Sequence, residues 1–187
     1  MRLILTRHGR TIENEQGISQ GHMPGRLSKT GVEQAQKLAQ RLKNEKFVAI
    51  YSSDLARAAD TARIIAKHHP GIPLYYTKDL RERDHGRLTG MKKSDIKDYH
   101  DDGESRKEMY ARVKRVIDEA YDKYPDSAVL FMGHGAINVM LTTLIRNKQP
   151  EQADHKDAQS NTAVSIFEIK EDKNHKIIFL NCTKHLS

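Results

Sequence analysis

Short apolar runs alternate with amphipathic stretches along most of this chain. Leu3-Ile4-Leu5 is the first run, Val48 to Tyr51 the second, Pro73 to Tyr76 the third and Ala128 to Met132 the fourth, with two more near 163–169 and 176–182. Runs of this length bounded by turn signals read as strands, and the most apolar of them as strands buried on both faces. Between them the spacing becomes helical. Ser28 is a natural N-cap for a helix that carries Ala35, Leu38 and Leu42 on one face. Asp54 opens a second helix with Leu55, Ala58, Ala59, Ala62, Ile65 and Ala66, ended by Pro70 and Gly71. A third helix is expected over about 104–124 and a fourth after Gly135. The alternation predicts an α/β fold, a three-layer α/β/α sandwich with a mostly parallel sheet. One stretch breaks it: the polar, irregular segment 78–103 is expected to form a small cap on a single domain spanning 1–187.

Two of the apolar runs end alike. The first leads into Thr6-Arg7-His8-Gly9, and the fourth into Gly133-His134-Gly135. Sites in open α/β sheets lie beyond the carboxyl ends of the strands, so His8 and His134 are expected to meet there with Arg7 beside them. A lone histidine after a strand is ordinarily a loop residue, but a matched pair with an adjacent arginine outlines a phosphate site. Arg57 falls one turn into a helix that follows a strand, near the same edge, where its planar fork of donors can reach a phosphate. Alone it would read as a surface arginine. Glu82, in Leu80-Arg81-Glu82-Arg83-Asp84-His85-Gly86, would alone read as part of a solvated ion pair and gains weight from its company.

Composition narrows the partners. With 187 residues, 37% hydrophobic and 30% charged, the chain fits one well-buried domain with a polar surface. No apolar run approaches bilayer length and no leader precedes the first strand, so a cytoplasmic protein without membrane contact is expected. The single cysteine, Cys182, excludes an intrachain disulfide framework and fits a reducing compartment. A net charge of +7 favours an anionic partner. Nucleic acid is disfavoured, because the basic residues are interleaved with acids, 6% of residues are aromatic and there is no tryptophan for base stacking. A small phosphorylated substrate is the expected partner, and the oligomeric state is left open. The ten histidines invite a metal, yet none shows two histidines one turn apart beside a glutamate. His68, His69, His85 and His100 read as structural or surface groups, and neither metal nor cofactor is expected.

The joint pattern resembles the histidine phosphatase superfamily, in the branch of cofactor-dependent phosphoglycerate mutases and their broad-specificity phosphatase relatives. The matching residues run in order from Arg7-His8-Gly9, Thr11 and Asn14 through Gln20-Gly21, Leu27-Ser28 and Gly31 to Ser52-Ser53-Asp54-Leu55, Arg57-Ala58 and Thr61-Ala62. They continue through Leu80, Glu82, Gly86, Gly90, Gly103-Glu104-Ser105 and Gly133-His134-Gly135 to Asn161-Thr162. The resemblance implies that His8 is the nucleophile, that Arg7, Arg57 and His134 bind the phosphoryl oxygens, and that Glu82 protonates the leaving oxygen. It also places Asn14, Gln20, Gly21 and Gly135 at the substrate. Physical chemistry agrees, since phosphoryl transfer is mainly positioning plus neutralisation of oxygen charge, which two arginines and a protonated histidine supply. Nearby cations favour the neutral imidazole that His8 needs for attack.

The expected activity is therefore metal-independent hydrolysis of small phosphomonoesters through a phosphohistidine. Two alternatives accompany it: a phosphoglycerate mutase primed by 2,3-bisphosphoglycerate, and a non-catalytic phosphate-binding or regulatory module. Binding alone needs neither a nucleophile nor an acid, which argues against the last. The chain departs from its relatives at Arg10, where an acid is common, and in Pro24-Gly25-Arg26-Leu27, so Arg10 and Arg26 are candidate substrate contacts. Leu88 stands where many phosphatases place tryptophan, and Glu82 to Lys93 looks more like the mutase version of this segment. The short cover favours water and hydrolysis. Gly103-Glu104-Ser105 reads as a helix start with indirect help to the site.

Overall fold

In the computed structural model, which describes residues 1–96 and 102–187, six strands form one sheet in the order β3-β2-β4-β1-β5-β6. They are β1 (Arg2–Arg7), β2 (Ala49–Ser53), β3 (Leu74–Thr77), β4 (Ala128–Gly133), β5 (Val164–Glu168) and β6 (Lys176–Cys182). The first four are parallel, while β5 runs antiparallel to β1 and β6 antiparallel to β5. Five α-helices connect them among the described residues: α1 (Ile12–Glu15), α2 (Lys29–Leu42), α3 (Ala56–Ala66), α4 (Arg106–Lys123) and α5 (Gly135–Ile145).

Successive side chains of a strand point to opposite faces, and the two cores follow from that. Ile4, Ile50, Leu130 and Met132 pack with Leu38, Leu42, Ala58, Ala62 and Ile65 of α2 and α3. Leu3, Leu5, Tyr51 and Phe131 pack on the other face with Val113, Val116, Ile117, Met140 and Leu141 of α4 and α5. Helices cover both faces, so Leu3-Ile4-Leu5 of β1 and Val129 to Met132 of β4 are apolar on both faces, as their sequence demands. Ser28 caps α2 by accepting from the Gly31 N–H at 3.2 Å. Gly31 and Gly9 let this helix start lie hard against the chain leaving β1: a Cβ at Gly31 would stand 1.8 Å from the Arg10 carbonyl oxygen.

Three local expectations change. The stretch between the first strand and Ser28, which reads from sequence as a polar, glycine-bearing loop, contains α1, one turn closed by a capping box between Thr11 and Asn14. The N-cap of α3 is Leu55, and Asp54 instead takes a two-pronged bond from Arg81 at 2.7 and 2.6 Å. Ser105 caps α4, which starts at Arg106, and shares a capping box with Glu108. Of the segment expected to be a cap, 78–96 and 102–103 consist of loop and three short 3-10 turns; residues 97–101, including His100, lie outside the described residues. This segment is laced to the chain after α1 through Ser19 N to Met91 O (2.8 Å), Gly90 N to Ser19 O (2.8 Å) and Lys93 N to Gly17 O (2.9 Å).

Candidate active site

Strands β1 and β4 are neighbours in register, Arg7 opposite Gly133, so His8 and His134 leave the sheet side by side. Their ring centroids are 5.0 Å apart. Both rings are buried, 2% and 0% exposed. The Nδ1 of His8 lies 2.7 Å from the Gly9 carbonyl oxygen. A carbonyl only accepts, so Nδ1 carries the proton and the lone pair falls on Nε2. Asn161 Nδ2 donates to the His8 carbonyl at 2.9 Å, Thr162 N donates to the Arg7 carbonyl at 3.0 Å, and Gly9 N donates to Thr61 Oγ1 at 3.1 Å, which fixes the backbone on both sides.

His134 has the opposite arrangement. Arg57 Nε donates to its Nδ1 at 3.1 Å, which leaves the proton on Nε2, and that buried atom has no partner. Burial, reinforced by Arg57, His8 and Arg7, holds His134 well below the usual histidine range. The expected protonated histidine is thus corrected to a neutral ring with one N–H donor, because charging it would place another cation in a dry cluster of cations. His8 is likewise held well below its usual range, by burial first and then by Arg7 and Arg57.

Arg57 is 1% exposed, and burial lowers it to about 10. Its guanidinium also binds the carbonyls of Gly21 (2.9 Å), Met23 and Pro24 (3.3 Å). The free fork expected from sequence is therefore already engaged, with one Nη2 hydrogen left. Gly21, at φ +46°, delivers its carbonyl there. Arg7 gives Nη1 to the Gln159 carbonyl at 2.7 Å, while its buried Nε has no partner. Arg7 and His134 thus each keep one buried donor that an oxyanion would satisfy.

Glu82 sits at the start of α5. Its Oε1 accepts from the N–H groups of Arg83 (3.0 Å), Ala136 (3.0 Å) and Ile137 (3.3 Å), seating the carboxylate on the first turn of α5. A Cβ on Gly135 would lie 3.4 Å from Glu82 Oε2 and 3.7 Å from Arg7 Cζ, so the Glu82 carboxylate and the Arg7 guanidinium both border this glycine. Asn14 is held by its capping box, and Gln20 is buried against Gly25 with its Oε1 unpartnered. Arg10 and Arg26 are exposed, Arg10 with its Nε 3.6 Å from Glu15 and Arg26 with its backbone N–H on Glu13. No bond joins either one to the histidines.

Two positioning groups escaped the sequence reading. Arg112, 8% exposed in the middle of α4, holds Glu104 through two bonds and reaches the carbonyls of Asp79, Arg81 and Glu82 at 2.9, 2.7 and 3.1 Å. His22 Nε2 donates to the same Glu82 carbonyl at 2.9 Å. Glu104 is thereby linked to the Glu82 backbone through Arg112. Nothing local in the sequence marks Arg112 or His22, since both act across long separations.

The model of the histidine phosphatase superfamily (branch 1) matches residues 3–183. The chain belongs to that superfamily. It is 32% identical over 204 residues to a broad-specificity phosphatase of Saccharomyces cerevisiae, covering 100% of this chain and 87% of that protein. It is 30% identical over 186 residues to a phosphoglycerate mutase-like protein of Arabidopsis thaliana, covering 89% and 79%. A metal-independent phosphoserine phosphatase of Arabidopsis thaliana is 44% identical over 90 residues, 48% of this chain and 38% of that protein. The structure of YhfR from Bacillus stearothermophilus shares the fold with a TM-score of 0.91 at 24% identity, covering 100% of this chain and 99% of that one.

Proposed function

We propose that this member of the histidine phosphatase superfamily hydrolyses small phosphomonoesters without a metal, through a phosphohistidine on His8. The observation that carries the reading is the pair of buried, unpartnered donors, Arg7 Nε and His134 Nε2, in the cluster that also holds the Nε2 lone pair of His8. Nε2 attacks phosphorus, the N–P bond forms as the ester P–O bond breaks, and Glu82 gives a proton to the leaving oxygen. Water then attacks the phosphohistidine, Glu82 takes its proton, and inorganic phosphate leaves with His8 restored. Arg7 and the remaining N–H of Arg57 neutralise the equatorial oxygens, and His134 donates to them through Nε2–H. The arginines supply the positive charge that a metal supplies elsewhere, and the relative named as metal-independent supports this. We assign the protein to a reducing cytoplasm on the strength of its lone cysteine.

A mutase is the second reading, favoured by the run from Glu82 to Lys93 and by the mutase-like relative. It needs its phosphohistidine shielded until an acceptor hydroxyl arrives. Incubation with 3-phosphoglycerate, a trace of 2,3-bisphosphoglycerate and a panel of other esters separates the two. Phosphate release from at least one ester, faster than formation of 2-phosphoglycerate, is expected. Isomerisation outpacing every phosphate release would make the protein a mutase.

A further inference from the structure

The loop before β5 is fastened to the end of β1 by a chain of buried amides. Arg7 Nη1 donates to the backbone carbonyl of Gln159, and Gln159 is 3% exposed. The side chain of that same residue makes three further bonds. Its Nε2 donates to the Leu5 carbonyl at 3.1 Å and to Ser165 Oγ at 2.7 Å, and its Oε1 accepts from Asn138 Nδ2 at 2.6 Å. Asn138 Nδ2 also donates to the Thr6 carbonyl at 3.0 Å. Because both carbonyls can only accept, the orientation of each amide is fixed, and all four of their N–H hydrogens are used.

Packing alone does not account for this network. Asn138 is fully buried in α5 between Ile137 and Val139, and its Oδ1 has no partner, a cost in stability that a leucine would avoid. Gly133 makes room for it, since a Cβ there would stand 2.3 Å from that oxygen. The loop that the amides tie down is also strained. Thr162 is β-branched and fully buried at φ +57°, a conformation that persists only where its surroundings over-determine it. The result of the arrangement is a rigid carbonyl against Arg7 Nη1.

We propose that Gln159 and Asn138 are positioning residues for phosphate recognition: through the Gln159 carbonyl they hold the planar guanidinium of Arg7 so that its unpartnered Nε–H meets the phosphoryl oxygens. The inference rests on the hydrolase reading above only for what Arg7 binds, a phosphoryl group. An arginine released from that carbonyl keeps its charge and loses its fixed geometry. The loss therefore falls on affinity for phosphate through Arg7, which a defect in folding would not single out.

Calorimetric titration with inorganic phosphate reads the positioning without turnover. Gln159→Met keeps the main-chain carbonyl and the length of the side chain but none of its three bonds, and phosphate is expected to bind about tenfold more weakly. In an Arg7→Met background the same substitution should cost nothing further, because the group it positions is gone. Ser165→Ala removes one of the anchors and should weaken phosphate by about threefold, with the same dependence on Arg7. Where Gln159→Met does not fold, this milder substitution in the two backgrounds decides the matter. Unchanged phosphate affinity, or an equal loss with and without Arg7, overturns the positioning role. If the coupling to Arg7 is found but no ester is hydrolysed, the positioning stands and the hydrolase reading fails. Hydrolysis by a protein whose phosphate affinity ignores Gln159 and Ser165 has the reverse meaning.

Discussion

His8 and His134 end two neighbouring parallel strands with the same histidine-glycine pair, and both are buried among cations that keep them neutral. They differ in what touches Nδ1. At His8 an acceptor, the Gly9 carbonyl, claims the proton and frees the Nε2 lone pair; at His134 a donor, Arg57 Nε, claims the lone pair and leaves Nε2–H. One ring is thereby suited to attack and the other to stabilise oxygen charge. The difference shows that the tautomer, set by one neighbouring atom, divides the labour between two residues that the sequence presents as equals.

Removing the attacking ring breaks the comparison most severely. His8→Ala should lower kcat by at least about four orders of magnitude, as loss of a nucleophile does elsewhere. Rapid quench with labelled substrate should trap an acid-labile, base-stable phosphate in the unmodified protein and none in the variant. An undiminished label would remove His8 from its role.

Glu82→Gln tests the acid seated on the first turn of α5, just past His134. An amide cannot give up a proton, so esters with poor leaving groups should slow by about 10²- to 10³-fold while activated aryl phosphates slow little. Equal losses on both substrates would mean that Glu82 only positions.

Arg57→Met attacks the asymmetry itself. Without Arg57 Nε, nothing holds the His134 proton on Nε2, and the carbonyls of Gly21, Met23 and Pro24 lose their donor. A fall of about 10²-fold in kcat/KM is expected. Nitrogen NMR of the His134 ring should report a shift from pure Nε2–H towards a mixture of tautomers. Arg57→Lys should not rescue it, because an ammonium lacks the fork that serves ring and loop together. An unchanged tautomer in Arg57→Met would show that another group sets it.

These residues also mark where the sequence was readable. Leu3-Ile4-Leu5 and Ala128 to Met132 announce buried parallel strands because helices on both faces leave no room for a polar alternation, and the histidines at their ends follow from the same registration. The tautomers were not readable, since they depend on a carbonyl one residue away and on an arginine 77 residues away. The charge of His134 was misjudged because cations visible as helpers of phosphate also repel a charged imidazole, and burial amplifies them. Arg57 looked free because the carbonyls that occupy it belong to a loop whose path only tertiary packing defines. The one-turn helix α1 did carry a signal, Thr11 with Asn14 three residues on, which forms a capping box.

The smallest effect is on stability, and it concerns what the two rings share. In the unfolded chain each histidine titrates near 6.5, whereas in the folded protein both are held well below that value by burial and by Arg7 and Arg57. Below about pH 6.5 the unfolded chain therefore binds protons that the folded protein refuses. The stability contributed by these neutral rings is fully present above the unfolded value and is lost as pH falls towards the folded one. Each ring adds a slope of up to about 1.4 kcal/mol per pH unit in that window. Urea denaturation between pH 6.5 and pH 4, in the absence of phosphate, should show the unfolding free energy falling with acid. His8→Gln and His134→Gln should each flatten the decline by a similar amount, because both rings are dry and face the same arginines. A slope that only one substitution changes would mean that the other ring takes up a proton in the folded protein, and the shared neutrality on which the comparison rests would then hold for a single histidine.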